Sequence, residues 1–173
     1  EGFLTQSHRA LLSKYNFQLK QARIKRATFL ANLPSKIEAG KKILREKTSK
    51  NDHVLIFANS INSAKAMTPF TYHSKMKKSE KDQILTTFSE GKIHQLSCVN
   101  ALNEGTNIEG ADTALILQVN SNDLVLIQRI GRILRLKENK TLAKIFIICA
   151  KNTIDEEWIL KVTQNLNVVR ENK

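Results

Sequence analysis

A glutamine and two arginines in residues 128–135 (QRIGRILR) have the spacing expected of a phosphate-binding surface. If this segment is helical, Gln128, Arg132 and Arg135 fall at positions i, i+4 and i+7 along one face, and Gly131 removes a side chain beside Arg132. Guanidinium groups are always charged and bind oxygen atoms bidentately, so two of them on one rigid element can clamp a phosphate. An ordinary solvated basic face has the same spacing, so this segment alone leaves both interpretations open.

Three other polar segments directly follow short apolar runs. They are Asn59-Ser60, His73-Ser74 and residues 100–107 (NALNEGTN). If the apolar runs are parallel strands, their carboxyl ends lie at one edge of a sheet, where ligands of open parallel sheets gather. The sequence therefore predicts that these segments approach one another in the fold.

The elements that would position these residues begin after residue 52. Short, continuous apolar runs suit strands that are covered on both faces. They occur at residues 53–58, 96–99, 114–119 and 145–150, with a further short strand possible at 70–73. Helical patterns lie between and after them, at residues 62–67, 77–89, 123–134 and 154–166. This succession predicts an α/β fold, a parallel sheet sandwiched by helices with right-handed crossovers.

The first fifty residues differ from the rest in pattern and in charge. Apolar spacings of three and four residues predict one helix up to residue 33 and a second from Ser35, as its N-cap, to about Lys47. These fifty residues hold twelve Lys/Arg and three acids, so they carry +9 of the chain's net charge of +12. Such an asymmetry indicates a polyanion partner or a solvated helix face. We expect a basic helical extension over residues 1–50 and one domain over 51–173.

Composition excludes several other classes of protein. Cys98 and Cys149 lie in apolar runs, which indicates reduced core thiols, not a disulfide framework. The four histidines are scattered, so no metal site is predicted. No apolar stretch approaches the length that spans a bilayer, and no signal peptide opens the chain, so we expect a cytoplasmic or nuclear protein that is not secreted. The start at Glu1, without methionine, suggests a piece of a longer protein.

Taken in order, the segments resemble the second RecA-like domain of superfamily 2 helicases and translocases, including restriction-type and Swi/Snf-type motors. The resemblance covers roughly residues 50–165. Residues 53–60 resemble motif IV. Tyr72-His73-Ser74 and the basic helix ending in residues 88–92 resemble the family's histidine-small pair and its Phe-x-x-Gly helix end. Residues 100–107 resemble motif V, and residues 128–135 resemble motif VI, Q-x-x-G-R-x-x-R.

The resemblance implies roles for the matching residues. Arg132 and Arg135 would be the catalytic arginines, which offset charge developing on the transferred γ-phosphoryl group of ATP. Gln128, Gly105 and Asn107 would bind near the nucleotide.

Four residues are expected on the nucleic-acid track, where contacts to phosphates position the polymer without reading its sequence. These residues are Ser60, His73, Ser74 and Asn100. One departure from the family is Val99, where relatives often have Ser or Thr.

The sequence has no glycine-rich loop of the form G-x-x-x-x-G-K-[ST]. Gly40-Lys41-Lys42 and Gly91-Lys92-Ile93 both lack the following hydroxyl residue and the earlier glycine. We therefore expect ATP and Mg²⁺ to be held mainly by a missing N-terminal RecA-like domain, and the chain alone to hydrolyse ATP weakly or not at all. The chain is then the C-terminal half of a motor that works on DNA or RNA. The alternatives are a non-catalytic nucleic-acid-binding or scaffolding module with the same fold, and a partner domain on a separate polypeptide.

Overall fold

The computed structural model describes residues 5–99, 108, 110–118 and 143–164. The described elements are α1 (Gln6–Ala31), α2 (Pro34–Glu46), β1 (Val54–Ala58), α3 (Ile61–Met67), β2 (Thr71–Tyr72), α4 (Lys78–Ser89), β3 (Gln95–Val99), β4 (Thr113–Ile116), β5 (Lys144–Ile147) and α5 (Ile154–Val162). Each of the five apolar runs that were predicted as strands overlaps a strand of the structure.

The described strands form one parallel sheet in the order β2-β3-β1-β4-β5. The register aligns Tyr72, Cys98, Phe57, Ile116 and Ile147 in one row across it. Because these residues lie at or near the ends of their strands, the segments that follow them leave the sheet at a common edge. This edge is called the carboxyl edge below.

Both faces of the sheet are buried along β1 to β4, as continuous apolar strands require. The edge strand β5 is exposed at Lys144 and Ile145 and half-buried at Phe146 and Ile147. Along β1, Leu55 and Phe57 face one core while Val54, Ile56 and Ala58 face the other. The first core is covered by α4 and α5, through Ile84, Leu85, Phe88 and Ile159. The second is covered by α2 and α3, through Ile37, Ala39, Ile43, Leu44, Ile61, Ala64 and Met67. The fold is therefore the predicted α/β sandwich, which the N-terminal helix α1 precedes.

Several predicted boundaries shift for local reasons. His53 precedes β1, and its amide donates to the Asp112 carboxylate at 3.1 Å. The strand predicted within residues 145–150 ends at Ile147, because the chain turns at Ala150 towards the start of α5. There the Ala150 amide donates to Asp155, and the Ala150 carbonyl accepts from the Thr153 hydroxyl. The predicted helix 123–134 lies outside the described residues.

The prediction of Ser35 as the second helix's N-cap is wrong. The N-cap is Leu33, which makes no side-chain capping bond, and Pro34 is the first helical residue. Proline suits this position because its φ is already helical and it has no amide hydrogen to satisfy. Helix α2 still ends, as expected, near Lys47.

The two cysteines are free thiols, Cys98 buried and Cys149 partly buried. None of the helices in the described ranges is long and apolar enough to cross a membrane.

Helix α2 approaches the sheet closely at Gly40. A Cβ at this position would lie 2.9 Å from Met67 Cε and 3.1 Å from Leu117 Cδ2. We expect Gly40→Val to destabilise the chain by about 1–3 kcal/mol, because the added carbons overpack the core. Urea denaturation followed by circular dichroism measures this. Lys41→Val, at the exposed neighbouring position, is the control, and an equal loss in both variants would contradict close packing at Gly40.

Candidate nucleic-acid interface at the carboxyl edge

The carboxyl edge collects most of the polar residues that the sequence placed on the nucleic-acid track. Ser60 is the second residue after β1, and His73 and Ser74 are the first two residues after β2. Because β1 and β2 run parallel in the same sheet, these side chains are brought to one edge, as predicted. Asn100 follows β3, which lies between those two strands, but is itself outside the described residues.

Ser60 has a structural role that the sequence did not reveal. Its hydroxyl caps α3 by accepting the Ser63 amide hydrogen at 3.1 Å, and it donates to Asn32 Oδ1 at 3.2 Å. The Ser63 hydroxyl also donates to Asn32 Oδ1, at 3.4 Å. The cluster of Asn32, Ser60 and Ser63 therefore ties the end of α1 to the start of α3 beside the carboxyl edge.

His73 carries a ring nitrogen that is buried without a partner. Its Nδ1 makes no hydrogen bond among the described residues, although the side chain as a whole is only half-buried. The backbone at His73 forms a turn, with its carbonyl accepting from the Met76 amide at 3.1 Å, and Ser74 is exposed on that turn. The surface that this turn offers to a ligand is therefore the Ser74 hydroxyl and the exposed part of the His73 ring, since Nδ1 itself is enclosed.

The predicted nucleotide-binding and catalytic residues cannot be placed in the same way. Gly105, Asn107, Gln128, Arg132 and Arg135 all lie outside the described residues. The last described residue before position 119 is Gln118, which follows β4 at the carboxyl edge. Across the described part of the chain, no group of three or more His, Cys, Asp or Glu side chains could hold a metal ion.

The structure contains a buried ion pair at this edge that the sequence did not predict. The Lys36 ammonium on α2 is bonded to Asp155 Oδ2 in the first turn of α5, and it donates to Gln118 Oε1 at 3.2 Å. Only 3% of the Lys36 side chain and 1% of the Asp155 side chain are exposed. The amide of Ala150 donates to the same carboxylate oxygen at 3.2 Å. The position of Asp155 near the N-terminus of α5 also favours its negative charge.

This pair joins three segments that are distant in the sequence. Lys36 lies on α2, Gln118 follows β4, and Asp155 lies in the first turn of α5. The sequence carries one sign that Lys36 is buried. Lys36 stands four residues before Gly40 and seven before Ile43, which puts it on the buried side of α2. A cation on that side requires a charged partner. No local pattern could identify Asp155 as that partner, since the two residues are 119 positions apart.

The pair also sets the environment of Cys149. Burial and the carboxylates of Glu156 and Asp155 raise the pKa of the Cys149 thiol, and Lys36 opposes them. Burial alone raises the pKa of the fully enclosed Cys98 thiol. Both thiols are therefore poorly ionised near neutral pH, which is the setting of inert structural cysteines.

The sequence matches the family described as the helicase conserved C-terminal domain over residues 35–137. This match contains every position that was assigned to ATP or to nucleic acid. The chain is also 29% identical, over 130 residues, to the DNA 3'-5' translocase XPB2 of Sulfurisphaera tokodaii. That alignment covers 72% of this chain but only 28% of the translocase, so the chain spans little more than a quarter of this relative.

Solved structures with a similar fold include helicase and ATPase domains. The C-terminal domain of the DEAD-box protein Dbp5 has a TM-score of 0.62 at 16% identity, covering 82% of this chain and 83% of that one. The helicase domain of Hef from Pyrococcus furiosus has a TM-score of 0.56 at 20% identity, covering 91% of this chain and 34% of that one. The C-terminal part of the Fun30 ATPase domain has a TM-score of 0.60 at 20% identity, covering 78% and 46%. These likenesses show the RecA-like fold.

Removing one member of the buried pair should be costly. We expect Lys36→Met to lower the free energy of unfolding by about 3–5 kcal/mol, because it leaves Asp155 buried without its cation. Lys36→Met combined with Asp155→Leu should lose less than the single variant. Chemical denaturation measures both.

The matched control for that experiment is the exposed pair of Lys92 and Glu90, whose charged atoms lie 2.7 Å apart. Lys92→Met should cost less than about 1 kcal/mol, since water screens the pair. If Lys36→Met costs no more than Lys92→Met, the buried pair does not hold the edge together.

The carboxylate effect on Cys149 can be measured by thiol alkylation. We expect Glu156→Gln to lower the pKa of Cys149, because a neighbouring negative charge no longer opposes the thiolate, and iodoacetamide labelling near pH 8 should become faster. Glu157→Gln is the control, since Glu157 is not among the groups that raise this pKa. Cys98 should label only after unfolding. Equal rates in the two variants, read by mass spectrometry, would refute the electrostatic effect.

Proposed function

The chain belongs to the helicase conserved C-terminal domain family, and we propose that it is the C-terminal motor half of an ATP-dependent superfamily 2 helicase or translocase. The observation that carries the proposal is the carboxyl edge of the parallel sheet. There the structure gathers Ser60, His73 and Ser74 within the part of the sequence that matches the family. Open parallel sheets bind their ligands at this edge.

Nucleic acid is the proposed polymer ligand, bound mainly through its phosphates. The exposed Ser74 hydroxyl and the His73 imidazole supply hydrogen bonds on the described part of the edge, and Asn100 is proposed beside them on β3. Ser60 is proposed to contribute chiefly by holding the start of α3, because its hydroxyl already donates to Asn32. The net charge of +12 favours such binding and makes it sensitive to salt. The similarity to a DNA translocase favours DNA over RNA.

ATP hydrolysis is proposed to require this chain and an N-terminal RecA-like domain together. The sequence contains no G-x-x-x-x-G-K-[ST] loop, so Mg²⁺ and most contacts to ATP would come from that other domain. Arg132 and Arg135 would reach the phosphates from this side, and Gln128, Gly105 and Asn107 would line the nucleotide. A guanidinium group that stabilises charge on a transferred phosphoryl group accounts for a large share of turnover in such motors.

Movement of the polymer would follow from closure and opening of the two domains. A domain whose arginines contact the terminal phosphate favours the closed arrangement while that phosphate is present and loses that preference after hydrolysis. The carboxyl edge, which carries the proposed track, would then shift relative to the other domain. The rigid sheet transmits this shift because the strands and their covering helices share one buried core on each face.

We propose that the division between extension and motor domain lies between α1 and α2, not at residue 50. Helix α2 packs on the second core and holds the buried Lys36, and the family match begins at residue 35. Helix α1 alone then forms the extension. We propose a place of action in the cytoplasm, or in the nucleus if the source is eukaryotic.

The catalytic role of motif VI can be tested in the full-length protein. We expect Arg132→Ala to reduce ATP turnover by roughly a thousandfold or more while nucleic-acid binding changes little. Arg129→Ala in the same segment is the control, because in the helix predicted from the sequence position 129 lies off the face shared by Gln128, Arg132 and Arg135. If turnover survives Arg132→Ala, the chain is better described as a non-catalytic nucleic-acid-binding or scaffolding module with a RecA-like fold.

A further inference from the structure

Helix α1 has a charge pattern unlike that of an ordinary solvated helix. Residues 6–31 carry six cations and no acid. The cations are Arg9, Lys14, Lys20, Arg23, Lys25 and Arg26. Every residue from 5 to 26 is exposed, and none of the six cations takes part in an ion pair within the described part of the chain. A surface helix usually mixes both signs, so this one carries a concentrated, uncompensated positive field.

The apolar side chains of α1 do not form one face that a protein groove would cover. Seven large apolar side chains of α1 are exposed. Their spacing puts Phe17 and Ile24 on one side of the helix and the other five on the opposite side, namely Leu11, Leu12, Tyr15, Leu19 and Phe29. A second copy of the chain is also a poor occupant, because two such helices side by side would bring cations against cations. The partner that fits the charge of α1 is therefore a polyanion.

The last turn of α1 is attached next to the proposed nucleic-acid track. Asn32, the C-cap of α1, accepts hydrogen bonds from the hydroxyls of Ser60 and Ser63 beside the carboxyl edge. Leu30 and Ala31 are buried there, so the end of the helix is fixed to the domain. From this anchor the 26 residues of α1 extend for about 39 Å at 1.5 Å per residue. That length is comparable to one turn of B-form DNA, about 34 Å.

We propose that α1 is a second nucleic-acid-binding surface, an arm that contacts the phosphate backbone of a duplex next to the carboxyl edge. The inference rests on the proposed function, since it extends the track of the same motor. The arm contributes affinity and not sequence preference, because lysine and arginine contacts to phosphate carry no base information. Its contribution falls steeply with salt, since each neutralised phosphate releases counterions.

The test compares two triple variants of the 173-residue chain that lose the same charge. The arm variant is Lys20→Gln, Arg23→Gln, Arg26→Gln. The matched control is Lys41→Gln, Lys42→Gln, Arg45→Gln, at exposed positions of α2. Fluorescence anisotropy measures binding to duplex DNA of about three helical turns, and to duplex RNA of the same sequence, over a range of salt concentrations. Circular dichroism checks that both variants keep their helix content.

We expect the arm variant to bind both duplexes roughly tenfold more weakly at low salt. The slope of log affinity against log salt should fall by about 0.9 for each phosphate contact that is lost. The control should keep most of the affinity and slope of the unchanged chain. An equal loss in both variants, or no loss in the arm variant, would overturn the inference while leaving the proposed function intact.

A charge-preserving variant separates phosphate contact from apolar docking. Leu12→Gln with Leu19→Gln keeps all six cations, so it should bind duplex like the unchanged chain. If it loses as much affinity as the arm variant, α1 acts through its apolar side chains and the inference fails. The proposed function is tested apart from all of this, by ATP turnover of the full-length Arg132→Ala variant.

Discussion

Burial of the sheet on both faces is the constraint on which the rest of the molecule depends. A parallel sheet covered by helices on either side has no free face for a ligand, so its chemistry is confined to the ends of its strands. The register places the ends of all the described strands close to one row, which turns separate polar segments into a common edge. Ser60, His73 and Gln118 lie at one edge because of the sheet topology and not because of proximity in the sequence.

That edge is held by polar contacts as well as by the apolar core. Lys36, Gln118 and Asp155 connect α2, the end of β4 and the start of α5. A buried pair of charges stabilises a fold less than its Coulomb attraction suggests, because both ions lose their hydration. What the pair supplies here is a fixed junction, since neither helix can shift without leaving a charge buried and unpaired. Asn32 and Ser60 provide a second, neutral junction at the base of α1.

The sequence predicted the architecture because the signals for it are local. Continuous apolar runs marked the strands, and the alternation with amphipathic segments marked a parallel sheet; the boundaries moved by only a few residues. What could not be predicted depended on contacts between distant residues. Ser60 has the hydroxyl that a phosphate site needs, yet its partner is Asn32. Asp155 lies in the helix that the sequence predicted over residues 154–166, whereas its partnership with Lys36 has no sequence signature. The roles of Arg132 and Arg135 stay predictions, since both lie outside the described residues.

The central claim is that nucleic acid binds at the carboxyl edge and not at the opposite end of the sheet. Nuclear magnetic resonance of the isotope-labelled chain, titrated with duplex DNA, tests this most directly. The largest backbone shift changes should fall on Asn59, Ser74 and Gln118 and along α1, with little change at the strand starts, such as Val54 and Thr113. Shift changes concentrated at the strand starts instead, or spread evenly over every lysine-bearing surface, would contradict the account.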